Sequence, residues 1–143
     1  MTIRYRVLVQ LVALFGVTVA ASAASTDKLA ATVRGVAEAN VAAYDAKDTD
    51  GVLRTMHTRS PEYDPTKAAL AEQFRDLNVT AKLIDFRYMG HDDEFVVARV
   101  KTQSVGAPGS GFQDNVTDSI MLFHQEGGVW KLWSDEVLGV DFK

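Results

Sequence analysis

The sequence predicts an α+β domain in which helices come first and an antiparallel sheet follows. Between residues 27 and 78 the apolar residues recur at helical spacing, whereas from residue 80 onward they alternate with polar residues. The second half holds four runs rich in β-branched and aromatic residues, separated by the turn-like segments GHDDE, VGAPGSG and QEGG. Helices followed by a meander of strands predict that the helices gather on one face of the sheet.

The first helix is predicted over Asp27 to Lys47, with Ser25 or Thr26 as its N-cap. Its apolar residues fall on one stripe: Leu29, Val33, Val36, Ala37, Val41 and Tyr44.

Two shorter helices follow the first. Asp50 can cap a short helix through VLRTMH, and Asp64, followed by Pro65 at the first helical position, can cap a third. Leu70, Phe74 and Leu77 lie at helical spacing in the third helix, and Asn78 is a plausible stop.

The four strands are predicted over residues 80–89, 95–104, 112–124 and 129–138. Side chains of a strand alternate between faces, so a short turn near Gly127 decides which residues of the last two strands lie together. One face then carries Met121, Phe123, Trp130, Leu132, Ser134 and Glu136, and the other carries Asp118, His124, Lys131, Trp133 and Asp135. The second set is the more charged, and because burying unpaired ions is costly we predict that it faces outward.

The N-terminus has the layout of a secretory signal. Two arginines precede an uncharged apolar run from Val7 to Ala21, and small residues follow at Ala21-Ser22-Ala23. A membrane-spanning helix needs about 20 apolar residues, more than this run supplies. We therefore predict a signal peptide over residues 1–23, cleavage after Ala23, and one domain over residues 24–143, exported to a periplasm or secreted, with no membrane association after cleavage.

Composition limits the classes of partner and of cross-link. The chain has no cysteine, so the domain has no disulfide. Cleavage would remove two arginines, which leaves 15 − 2 = 13 basic residues against 19 acidic ones, a net charge of −6. A chain this acidic, without a basic cluster, is not predicted to bind nucleic acid or anionic lipid.

The order of these elements, together with the closing hairpin GGVWKLWSDEVL, resembles the nuclear transport factor 2-like superfamily (cystatin-like fold), which includes SnoaL-like and ketosteroid-isomerase-like proteins. The resemblance covers about residues 27–141. It implies a cone-shaped, curved antiparallel sheet wrapped around the long first helix, a small-molecule pocket at the open end of the cone, and dimerisation through the outer face of the sheet. It implies no particular chemistry, because one fold hosts many functions.

Candidate ligand-binding residues are polar or aromatic positions expected to face the interior of the cone: Tyr44, His57, Tyr63, Ser119, Trp130 and Ser134. Each also has a purely structural interpretation. Serine in strands commonly bonds locally, Tyr44 can be a core residue, and His57 can lie at a helix C-terminus. The three histidines show no metal-ligand spacing, and GAPGSG lacks the lysine and following helix of a phosphate-binding loop, so no metal and no cofactor are predicted.

The sequence supports two hypotheses about function. The first is an exported binding or accessory module, dimeric through an apolar strip of Ile120, Leu122 and Trp133 on the outer face. The alternative is a small isomerase or dehydratase in which His57 or Glu136 carries the proton. A third possibility is a structural domain without a pocket, whose cone is filled by side chains. A ketosteroid-isomerase-like site needs an aspartate base, and the predicted inner face offers no aspartate, only Glu136.

Overall fold

The computed structural model describes residues 16–143, with side chains described from residue 22 onward. The predicted signal peptide therefore lies largely outside the described residues. Three helices precede a four-stranded antiparallel sheet, so the predicted α+β class is confirmed. The helices are α1 (Gly16–Asp45), α2 (Thr49–Thr55) and α3 (Tyr63–Asp76). The strands are β1 (Val79–His91), β2 (Phe95–Gly106), β3 (Asn115–Glu126) and β4 (Val129–Phe142).

Helix α1 begins earlier than predicted. Thr26 does not cap it, because this residue lies inside the helix and its hydroxyl donates to the carbonyl of Ser22 at 3.1 Å. Among the side chains of α1 described from residue 22 onward, the first that is fully buried is Val33, and residues 22–25 are exposed. The predicted cleavage site after Ala23 thus falls among exposed residues, 22–25, of α1.

The caps of the two short helices also differ from the prediction. Asp48, not Asp50, caps α2, and its carboxylate accepts from the backbone N–H of Gly51 at 2.9 Å. Helix α3 starts one residue before Asp64, and the residue at its N-cap, Glu62, makes no capping hydrogen bond with its side chain. The Glu62 carboxylate is instead directed toward β4.

The sheet is a meander in the order β1-β2-β3-β4. The turn between β3 and β4 consists of Gly127 and Gly128, whose φ angles of 58° and 81° are the left-handed values of a two-residue hairpin turn. Pairing starts there as predicted, with His124 opposite Lys131 and Phe123 opposite Leu132.

A β-bulge at Trp133 then changes the faces of β4. Leu122 pairs with Ser134 while Phe123 pairs with Leu132, so Trp133 is an extra residue on β4. Because side chains alternate, one extra residue exchanges the faces of everything that follows it. Asp135 is opposite Met121 on the inner face, whereas Ser134 and Glu136 are on the outer face. The prediction that Ser134 and Glu136 face inward and Asp135 outward is wrong for this reason.

The faces of β3 are as predicted. Its odd-numbered residues from Asn115 to Phe123 are the more buried, and Met121 and Phe123 belong to the same core cluster as Val33 and Ala37 of α1. The core lies between α1 and the inner face of the sheet, and its fully buried side chains include Val33, Ala37, Val96, Ala98, Val100 and Phe123. Asp118 lies on the outer face, where its carboxylate accepts from Arg99 Nε at 2.8 Å and from Arg99 Nη2 at 2.6 Å.

Within residues 16–143, no helix has both the length and the apolar character needed to cross a membrane.

Candidate ligand-binding site

Two cavities meet inside the cone formed by the helices and the sheet. The helix-side cavity has a volume of about 380 Å³ and is lined by Asn40, Tyr44, Val52, Met56, Glu62, Pro65, Thr66, Ala69, Leu70, Gln73, Leu132 and Asp135. The sheet-side cavity, of about 220 Å³, is lined by Asn40, Val41, Tyr44, Ala81, Thr102, Ser104, Thr117, Ser119, Met121 and Asp135. Asn40, Tyr44 and Asp135 line both, so we treat the two as one cone pocket. Its size and its mixture of apolar walls and a few polar groups are those of a small-molecule site.

Asp135 reaches this pocket because of the bulge at Trp133. Asp135 is an exposed residue overall, yet protein atoms crowd its carboxyl at the wall of the cavity. Burial raises the pKa of Asp135, the hydroxyl of Ser119 lowers it in part, and the negative charge of Glu136 raises it further.

Glu62 supplies a second carboxyl to the helix-side cavity. Its oxygens accept from the backbone N–H of Asp135, with the nitrogen 3.2 Å from Oε2 and 3.4 Å from Oε1. Burial is the main cause that raises the pKa of Glu62; the backbone hydrogen bond lowers it, and the charges of Asp135 and Glu136 raise it. The pocket therefore holds two carboxyls that are more readily protonated than free ones.

Asn40 and Tyr44 contribute polar groups from α1. The amide nitrogen of Asn40 donates to Thr55 Oγ1 at 2.7 Å, and this hydroxyl donates to the carbonyl of Val52 at 2.6 Å. The hydroxyl of Tyr44 donates to Gln73 Oε1 at 3.3 Å. Burial raises the pKa of Tyr44, so the phenol stays protonated at neutral pH.

Of the sequence-predicted site residues, the structure brings Tyr44 and Ser119 together in the cone pocket. Trp130 faces inward and packs against the core, but it lines neither cavity. Tyr63 borders a separate groove together with Glu126 and Lys131. Ser134 and Glu136 lie on the outer face, beyond the bulge.

His57 is fully buried outside the pocket. Its ring packs edge-on against Trp133, with 4.9 Å between ring centroids, and against His124, at 5.0 Å. Its Nδ1 accepts from the backbone N–H of Arg59 at 3.0 Å, and its backbone N–H donates to the carbonyl of Leu132 at 2.8 Å. These contacts fasten the segment after α2 to the edge of β4.

Asn40, Glu62 and Asp135 are among the pocket residues that sequence reasoning missed. Asn40 lies one turn of helix before Tyr44 and so shares its face, which is a signal the sequence does contain. Glu62 and Asp135 carry no such signal, because their positions depend on a helix start and a β-bulge. In the described part of the chain, no three histidine or carboxylate side chains cluster closely enough to hold a metal ion.

Comparison with known proteins places the chain in a family. The sequence matches the family described as the C-terminal domain of anti-sigma-I factor RsgI9 over residues 35–143. The chain belongs to this family. A search among curated proteins returned no match.

Solved structures confirm the nuclear transport factor 2-like resemblance. A protein of this fold from Novosphingobium aromaticivorans superimposes with a TM-score of 0.69 at 13% identity, covering 87% of this chain and 90% of its own. A cystatin-like protein of unknown function from Nostoc punctiforme gives 0.64 at 12% identity, covering 81% and 92%. A candidate scytalone dehydratase from N. aromaticivorans gives 0.62 at 10% identity, covering 77% and 84%. At these identities the likeness establishes the fold and leaves the function open.

Proposed function

We propose that the protein is an exported, dimeric accessory domain that binds a small molecule in the cone pocket. The observation that carries this proposal is the convergence of Asn40, Tyr44, Glu62 and Asp135 on a cavity of about 380 Å³ with an otherwise largely apolar wall. Membership of a family named after one domain of an anti-sigma factor is in keeping with a binding role.

The signal-like N-terminus supports export, and the outer face of the sheet supports dimerisation. Ile120 and Leu122 are neighbouring outward positions on β3, and each keeps part of its surface exposed. Trp133, the third residue of the predicted strip, packs against the ring of His124, with centroids 5.2 Å apart. Of the predicted strip, the apolar surface left for a partner is therefore mainly that of Ile120 and Leu122.

Native mass spectrometry of protein purified from cells that express the full chain tests ligand binding. Ala69 lines the helix-side cavity, while its neighbour Ala68 is exposed on the same helix. Ala69→Trp should fill the cavity, and Ala68→Trp is the matched control. We expect a defined extra mass on the wild type and on Ala68→Trp that is absent from Ala69→Trp. A bare wild-type protein, or an extra mass that Ala69→Trp retains, would contradict the proposal.

A second candidate function is general acid–base catalysis in the same pocket. It is favoured by the raised pKa values of Asp135 and Glu62, since a catalytic acid or base works best when its pKa lies near the working pH. In this hypothesis Asp135 and Glu62 carry the proton, in place of His57 and Glu136, which the sequence had suggested. Turnover of any substrate found for the protein should fall by about 10²-fold or more in Asp135→Asn. Unchanged turnover would eliminate this function.

A further inference from the structure

We propose that the cone pocket selects a small cationic ligand, a primary amine with a compact apolar body, whose ammonium group lies between the carboxylates of Glu62 and Asp135. This inference rests on the proposed function, ligand binding in the cone pocket, and names the chemical class of the ligand.

The charges of the pocket favour a cation. Glu62 and Asp135 both line the helix-side cavity, and no lysine, arginine or histidine is among the residues that line either cavity. The nearby Lys47 lies 5.4 Å from the centroid of the Tyr44 ring, and its ammonium group donates to the carbonyl of Val79. An anionic ligand would meet two carboxylates with no lining cation to offset them, whereas an ammonium ion is attracted by both.

The hydrogen bonds within the pocket leave acceptors for a ligand. The hydroxyl of Thr55 donates to the carbonyl of Val52, so it must accept from Asn40, which fixes the orientation of the Asn40 amide and leaves Asn40 Oδ1 as an acceptor. The Tyr44 hydroxyl has used its hydrogen on Gln73 Oε1 and keeps lone pairs. A ligand that satisfies these groups must donate hydrogen bonds, and an ammonium group has three donors and no acceptor.

The two carboxylates are held in place independently of any ligand. The backbone N–H of Asp135 donates to the Glu62 carboxylate, at 3.2 Å for the closer oxygen, and this contact ties the start of α3 to β4. The bulge at Trp133 fixes the direction of the Asp135 side chain. Because a carboxylate can accept several hydrogen bonds, each retains capacity for a donor from the ligand.

The remaining wall of the cavity accepts the body of the ligand. Val52, Met56, Leu70 and Leu132 are buried apolar residues that line the same cavity as the two carboxyls. This apolar surface suits an aliphatic or carbocyclic group. Its side chains offer no hydrogen bond to a second polar group of the ligand.

Isothermal titration calorimetry with three ligands of similar shape and different charge tests the inference: cyclohexylammonium, cyclohexanol and cyclohexanecarboxylate. The protein is the full chain as purified after expression, with Glu62→Gln and Asp135→Asn as pocket variants. Asp141→Asn is the matched control, because it removes one negative charge from β4 at a position on the opposite face that lines neither cavity.

We expect cyclohexylammonium to bind at least tenfold more tightly than cyclohexanol, a difference of about 1.4 kcal/mol, and cyclohexanecarboxylate to bind weakest. Each pocket variant should remove most of this preference, while Asp141→Asn should change it less than twofold. Equal binding of amine and alcohol, preference for the carboxylate, or failure of all three to bind would overturn the inference. The proposed ligand binding itself would be contradicted by a different result: native mass spectra in which the wild type carries no extra mass, or in which Ala69→Trp keeps it.

Discussion

Replacing Gly51 with alanine should destabilise the protein, although helix propensity alone predicts the opposite. Gly51 lies in the first turn of α2 and is buried. A Cβ added there would lie 2.7 Å from Asp48 Cγ and 2.9 Å from the Cβ of Ala43 on α1. Both distances are too short for carbon atoms in contact, so either the Asp48 cap or the packing of α2 on α1 must give way.

Helix propensity favours Gly51→Ala, whereas loss of the cap and crowding oppose it, and the sizes of these contributions to the free energy of unfolding can be compared. In an exposed helix, alanine is favoured over glycine by about 1 kcal/mol. Losing the Asp48 cap costs about 1 kcal/mol, and crowding a packed position costs about 1–3 kcal/mol. The free energy of unfolding should therefore fall by about 1–3 kcal/mol in Gly51→Ala. Because α2 supplies Val52 to the wall of the cone pocket, ligand affinity should fall as well.

Urea unfolding followed by tryptophan fluorescence measures this change, with Gly35→Ala as the matched control. Gly35 lies in α1, is exposed, and has open space where a Cβ would be placed. We expect Gly35→Ala to stabilise the protein by about 0.5–1 kcal/mol. Gly51→Ala should lower the urea concentration at the unfolding midpoint and leave the m value unchanged. If Gly51→Ala stabilised the protein as Gly35→Ala does, the structural reasoning about the cap and the α1–α2 contact would be refuted.

Three further predictions concern the pocket, the outer face and the N-terminus. Because burial raises the pKa of Asp135, the contribution of this residue to stability should be greatest below the ordinary aspartate pKa of about 3.9 and should decline as pH rises through the folded-state pKa. Asp135→Asn should therefore be more stable than the wild type at pH 7 and not at about pH 3. A difference in urea unfolding that stays constant across this pH range would contradict the prediction. In light scattering coupled to size exclusion, Leu122→Lys should convert the proposed dimer to a monomer, while Ile84→Lys, an exposed position on β1, should not; a wild-type monomer at high concentration would exclude the interface. Intact mass of the exported protein should correspond to a chain that begins at Ala24, and retention of Met1 would contradict a cleaved signal.

Most of the fold could be predicted because its helices and strands are amphipathic with distinct periods. The apolar stripe of α1 and the alternation along β3 each follow from burial of one face, so Val33, Met121 and Phe123 were assigned to the interior from sequence. Helix ends were less predictable. Asp48 and Asp50 are both good caps, and only the position of α2 against α1 decides between them.

The candidate site was predicted only in part, because it depends on a feature that sequence does not mark. A bulge at Trp133 uses a residue with ordinary strand propensity, and the adjacent apolar residues Val137 and Leu138 allow either alternation beyond it. The sequence prediction assumed regular alternation through Trp133, and it therefore placed Asp135 on the outer face. The conclusion that the inner face has no aspartate followed from that error. Tyr44 lines the pocket from α1, a regular helix whose periodicity can be read from sequence without such an interruption.

The direction of the Asp135 side chain is the central claim, and carbon NMR of its carboxyl tests that claim most directly. The resonance can be assigned by its loss in Asp135→Asn and followed through a pH titration, with and without cyclohexylammonium. If the carboxyl faces the cone pocket, its pKa is above the ordinary value of about 3.9 in the free protein and falls when the amine binds. An ordinary pKa that the amine does not change would show a carboxyl in open solvent and would contradict the account of the site.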